Sequence, residues 1–139
     1  MIKALIDTNI VFTFLSGRND PHAEACEKTM MLCAGEKVDG YIALHSLSTI
    51  WYLTRKAPDS IRREYIQKIC CLLTVCGTDN EALLTAVNNT DFKDFEDAMQ
   101  DCCAADADCD VIVTENISDF ADHSIITAVS PEQFLKMIL

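Results

Sequence analysis

Five carboxylates and one amide occupy positions where a chain of this kind could do chemistry. Asp7 closes the apolar run Ile2, Ala4, Leu5, Ile6, and Asn116 and Asp119 follow the apolar run of "DVIVT". Asp94, Asp97 and Asp101, in "DFKDFEDAMQD", are spaced i, i+3 and i+7, which puts three carboxylates on one helix face. Like charges so placed destabilise a helix by about 0.2–0.5 kcal/mol per pair. Acids near a helix start favour the dipole or form a solvated face. That accounts for Asp91 and Asp94, weakens at Asp97 and fails at Asp101. Carboxylates that converge repel one another unless a cation lies between them. Mg²⁺ and Mn²⁺ take oxygen ligands, and one or two carboxylates plus waters suffice. Such an ion attracts phosphate, activates a water and stabilises a leaving oxygen.

The elements that must position these residues are legible from periodicity. "IKALI" reads as a short buried strand ended by the polar Asp7-Thr8-Asn9, and "NIVFTFLS" as a helix that stops at Gly17. A helix follows from His22 to about Ala34, then a strand in "GYIAL". Ser46 to Lys56 and Ser60 to about Leu72 read as helices, "LLTVCG" hides a strand at its end, and Asn80 to Val87 is short and helical. Phe92 to about Ala107 is the next strong helix, "DVIVT" and "SIITAVS" are strands, and Pro131 opens a terminal helix. Strands alternating with helices predict an α/β sandwich around a mainly parallel sheet, as a single domain over residues 1–139. Ligands bind such sheets outside the carboxyl ends of the strands. If the strands are parallel, Asp7-Thr8-Asn9 and Thr114, Glu115, Asn116 and Asp119 share one edge.

The formal charge of −11 is unevenly distributed: 11 of the 22 acidic residues lie between Asp91 and Asp122. Five of the 11 bases (Arg55, Lys56, Arg62, Arg63 and Lys68) lie in one stretch. The whole-molecule field repels nucleic acid. A local metal site with that basic patch gripping the backbone would allow binding all the same. No apolar run approaches the roughly 18 residues of a membrane span, and no export signal is visible, so the reading is a soluble, cytoplasmic protein with no membrane partner. The eight cysteines form no C-x-x-C pair and read as reduced thiols filling the core. His22, His45 and His123 read as isolated surface or satisfied histidines. Trp51 and Tyr52 read as core, with a homodimer face as the alternative.

"LIDTN", "DFEDAMQ" and "DVIVTENISDF", followed by a strand and "SPEQFL", resemble the PIN domain family across essentially the whole chain, in the family's order. The resemblance implies a three-layer α/β/α sandwich whose acidic pocket binds Mg²⁺ or Mn²⁺ and hydrolyses RNA. By the same resemblance Asp7, Asp97 and Asp119 are the catalytic and metal-binding acids, and Asn116 is a further metal-site residue. Thr114 lies near the pocket, and Asp94 is a close neighbour of open role. The family includes the toxin ribonucleases of toxin–antitoxin pairs, so an antitoxin is an implied partner beside RNA. One position departs: Thr49, in "SLSTIWYL", stands where active relatives usually carry a glutamate. Two functions follow, a metal-dependent ribonuclease or an RNA- or protein-binding module with a weakened metal site. A phospho-acceptor regulator also places acids at strand ends, but it needs a lysine after a late strand, and none follows Lys93 up to Asp122.

Overall fold

Apolar runs of three to five residues are too short to fold as helices, and here they pair as strands. The computed structural model describes residues 1–139. Its strands are β1 (Lys3–Ile6), β2 (Asp39–Ala43), β3 (Thr74–Cys76), β4 (Val111–Val113) and β5 (Thr127–Val129). All pairs are parallel, in the order β3-β2-β1-β4-β5, with Ala4 opposite both Gly40 and Val111. The helices are α1 (Thr8–Ser16), α2 (Ala23–Ala34), α3 (Leu44–Leu53), α4 (Asp59–Leu72), α5 (Asn80–Asn88), α6 (Phe95–Asp106), α7 (Ile117–Phe120) and α8 (Pro131–Ile138).

Strand alternation divides the core in two and makes the expected three layers. Ala4, Ile6, Ile42, Val111 and Val113 face one side, where Ile10, Met30, Ile50, Ile69 and Phe134 from α1 to α4 and α8 cover them. Leu5, Ala43 and Ile112 face the other side, against Ala86, Ala98, Ala104 and Phe120 from α5, α6 and α7. The chain runs β1 to β3 in one direction, then returns past β1 to lay down β4 and β5. The switch point is therefore between β1 and β4, where an open α/β sheet has its natural crevice. Gly40 permits the end of α2 to sit against β2: a Cβ there would lie 2.7 Å from both Cys33 Sγ and Leu73 Cδ2.

Several boundaries and burial expectations shift, for local reasons. β2 passes directly into α3 at Leu44, two residues before Ser46. That helix stops at Leu53, three residues before Lys56, with Thr54 as its C-cap and the Thr54 hydroxyl donating back to the Ile50 carbonyl. The Phe92 helix begins at Phe95, since Asp94 is extended and caps it by accepting from Glu96 N at 2.9 Å. α7 and a 3₁₀ turn at Ala121–His123 were not expected, being too short to show a period. Cys26, Cys33, Cys103 and Cys109 fill the core, but Cys70 and Cys71 are exposed on α4. Tyr52 is not core either: it is 60 % exposed. No helix is long and apolar enough to cross a membrane.

Candidate active site

Asp7 stands at the N-cap of α1, where β1 hands the chain over beside β4. Its backbone N–H donates to the Val113 carbonyl at 3.0 Å, so the sheet itself fixes the residue. The side chain is held by three elements. Oδ1 accepts from Thr8 N and from Gln100 Nε2 on α6, each at 2.8 Å, and Oδ2 accepts from the Thr114 hydroxyl at 2.8 Å. A carboxylate offers about four lone-pair sites, so these bonds leave one on Oδ2. Asp7 is only 5 % exposed, and burial raises its pKa above the ordinary carboxylate value despite those donors.

Asp7 shares one cleft with Thr8, Asn9, Thr49, Leu53, Asp94, Glu96, Asp97, Asn116 and Asp119. The cleft encloses about 210 Å³, room for a hydrated ion, since a water takes up about 30 Å³ in the liquid. Asp97 lies one turn before Gln100 on α6 and has no hydrogen-bonded partner for its carboxylate. Desolvation, then the charges of Asp7, Asp94, Asp119 and Glu96, push its pKa up to about 7. Asn116 precedes α7 and Asp119 sits within it, the Asp119 carbonyl bonded to His123 Nε2 at 2.8 Å. Thr114 is fully buried, with its hydroxyl accepting from Asn116 N at 3.0 Å while it donates to Asp7. It thereby ties the β4 end to the β1 end.

Thr49 lines the cleft from α3, but its hydroxyl donates back to the His45 carbonyl at 3.3 Å. Asp101 does not join the cleft acids. Its two oxygens accept from Ile125 N at 2.8 Å and Ile126 N at 3.0 Å, and it is 2 % exposed. The carboxylate that the dipole argument left unexplained is a clamp on the chain before β5.

Two residues in or beside the cleft escaped the sequence reading: Glu96 and Gln100. Gln100 is fully buried, and its Nε2 also meets Ser46 Oγ at 3.0 Å and Thr8 Oγ1 at 3.3 Å. Its Oε1 is buried with no partner. The i, i+3 spacing of Asp97 and Gln100 was the available signal, since it puts both on one face.

The basic residues do not form a uniformly free surface. Arg62 donates from Nη2 to the Trp51 carbonyl and lies 3.8 Å over the Trp51 ring, so it clasps α4 to α3. Arg63 pairs with Asp59 at 2.7 Å. Arg55 and Lys56 are exposed, with Arg55 stacked 4.2 Å over Tyr52. They lie just past Leu53, which lines the cleft.

As they stand, no three His, Cys, Asp or Glu side chains converge closely enough to cage a metal ion. The donor set still suits Mg²⁺ or Mn²⁺, because it is all oxygen, partly unpartnered and short of positive charge.

Comparison with solved structures places the same architecture elsewhere. A chain of VapBC2 from Rickettsia felis, solved bound to a DNA fragment from its promoter, superposes with a TM-score of 0.71 at 14 % identity. That match covers 93 % of this chain and 98 % of the other. A chain of a toxin–antitoxin complex from Klebsiella pneumoniae gives a TM-score of 0.67 at 20 % identity, covering 92 % of this chain and 97 % of its own. No curated protein sequence matches. The family model described as the PIN domain matches residues 3–118, which hold Asp7, Asp97, Thr114 and Asn116. The chain belongs to the PIN domain family.

Proposed function

We infer that this protein is a metal-dependent ribonuclease that hydrolyses RNA phosphodiester bonds, acting as the toxin of a toxin–antitoxin pair. The observation that carries the reading is the gathering of Asp7, Asp94, Asp97 and Asp119 at the β1/β4 switch point in a cleft lined by no basic residue, where the Asp97 pKa is raised to about 7. An anionic pocket built on rigid strand ends and left uncompensated calls for a cation. Asp7, Asp97 and Asp119 would hold Mg²⁺ or Mn²⁺, with Asn116 assisting and Asp94 beside them. The ion, when bound, supplies Lewis acidity: it lowers the pKa of a water and offsets charge on the departing oxygen.

The chain's own residues do the rest. Thr114 and Gln100 hold the Asp7 carboxylate in one orientation. Asp97 from α6 and Asp119 from α7 supply the other carboxylates of the cleft. Arg55 and Lys56, with Arg62 and Arg63 behind them, offer cations for the backbone beyond the acidic mouth. The toxin assignment is supported by two structures of this fold that come from a VapBC assembly and a toxin–antitoxin complex, with an antitoxin as the matching partner. The test is cleavage of single-stranded RNA with and without Mn²⁺. Cleavage should need the metal and be lost in Asp7→Asn and in Asp97→Asn. Equal activity in wild type and variants, including none, would falsify the enzyme reading.

Thr49 favours a second reading, a PIN-fold module that binds RNA or a protein without cutting. The α3 wall gives the cleft a neutral hydroxyl turned back on its own helix, a poor ligand compared with a carboxylate. RNA binding with no detectable Mn²⁺ binding at millimolar metal would select this reading. So would cleavage that appears only in Thr49→Glu.

A further inference from the structure

Glu96 occupies the first turn of α6 and lines the cleft with Asp7, Asp94, Asp97 and Asp119. A first-turn acid satisfies the helix dipole from outside the cleft just as well. The dipole therefore explains the residue type and not its direction. Its side chain is half-buried and turned inward, where its one hydrogen bond is a long contact of 3.4 Å from the Thr8 hydroxyl. That hydroxyl has a single proton and lies only 2.8 Å from Ser46 Oγ on α3. When the proton goes to Ser46, Glu96 has no donor at all. No lysine, arginine or histidine pairs with it.

A second observation lies alongside. Gln100 is fully buried with its amide against Asp7, Thr8 and Ser46, yet its Oε1 has no partner. The half-buried Glu96 carboxylate and the Gln100 amide thus flank the Thr8–Ser46 contact, and each carries an oxygen without a close donor. Both are oxygen donors, and both are short of positive charge. This is also the α3 side of the cleft, where α3 itself contributes only Thr49 and Leu53.

We propose that Glu96 is a further carboxylate of the divalent-cation site, supplying from α6 the negative charge that the α3 wall lacks. This rests on the metal-dependent reading above. It means that Thr49 does not leave the pocket one carboxylate short, because α6 carries two inward acids in succession, Glu96 and Asp97.

The test is Mn²⁺ titration by calorimetry of the metal-free wild type, Glu96→Gln, and Glu81→Gln, which removes the same charge on α5 away from the cleft. Wild type should bind, Glu96→Gln should bind at least about tenfold more weakly, and Glu81→Gln should match wild type. Glu96→Asp, which keeps the charge but shortens the reach, should show the same loss and stands in if Glu96→Gln does not fold. Affinity in both position-96 variants within about twofold of wild type overturns this inference alone. An equal fall in Glu81→Gln overturns it too, as an effect of net charge. No Mn²⁺ binding by wild type overturns both it and the ribonuclease reading.

Discussion

Asp7 illustrates how one residue can be a helix cap and a site residue together. Its Oδ1 caps Thr8, as the strand-to-helix transition requires, and its Oδ2 is steered by Thr114 from 107 residues away. Gln100 is the least expected support, a neutral side chain buried completely so that its amide can reach Asp7, Thr8 and Ser46. Gln100→Leu keeps the volume and removes those donors, leaving a buried carboxylate less satisfied. We expect a loss of about 1–3 kcal/mol in urea denaturation. An unchanged midpoint and slope would show that Asp7 does not depend on it. Asp101 was legible as anomalous and not as structural, because the groups it clamps, Ile125 N and Ile126 N, are 24 and 25 residues away.

Among elements, the helix–helix contacts of the α1–α4 layer are secured by a mixture of packing and charge. α8 lies on α2, with Phe134 in the core and a capping box formed by Ser130 and Gln133. At their meeting point His22 Nδ1 lies 2.6 Å from the Glu132 carboxylate, whose hydrogen bond raises the His22 pKa above its usual 6.5. Below pH 6.5 the histidine is protonated whether folded or unfolded, and the pair contributes fully. As pH rises through the raised folded value the contribution is lost. The pair is over a third exposed, so screening holds it below about 1 kcal/mol. An NMR titration should therefore place His22 above 6.5 in wild type and nearer 6.5 in Glu132→Gln. The same midpoint in both proteins would assign the shift elsewhere. Boundaries were legible where caps and breakers act locally, as at Gly17 and Pro131. α7 was not, since four residues carry no usable period.

At the scale of the whole molecule, a net charge of −11 opposes RNA while Arg55 and Lys56 sit just past the cleft-lining Leu53. The ribonuclease reading then sets a division of labour. Replacing Arg55 and Lys56 with alanine should weaken RNA binding about equally for all sequences and lower the salt slope by about 1 for each phosphate left without its cation. Mn²⁺ affinity should be unaffected. A filter-binding series across salt concentrations checks this, and an unchanged slope would place the RNA on another face. Arg62 is a poor candidate for the same experiment, because removing it also frees the Trp51 carbonyl and exposes the ring it covers.

The sequence by itself determined the order of the main strands and helices, the α/β sandwich around a parallel sheet and the placing of Asp7 and Asn116 at strand ends. These follow from apolar periodicity and from caps, which act over a few residues. Only the tertiary structure decided which acids share the cleft. Asp97 and Asp101 are one turn apart on α6, yet one faces other carboxylates and the other faces the backbone before β5. Glu96, outside the face that spacing marks out, comes in instead. What surrounds Asp7 and Glu96 is set by elements about 90 to 110 residues distant, brought together when β4 returns to lie beside β1. No local pattern carries that information.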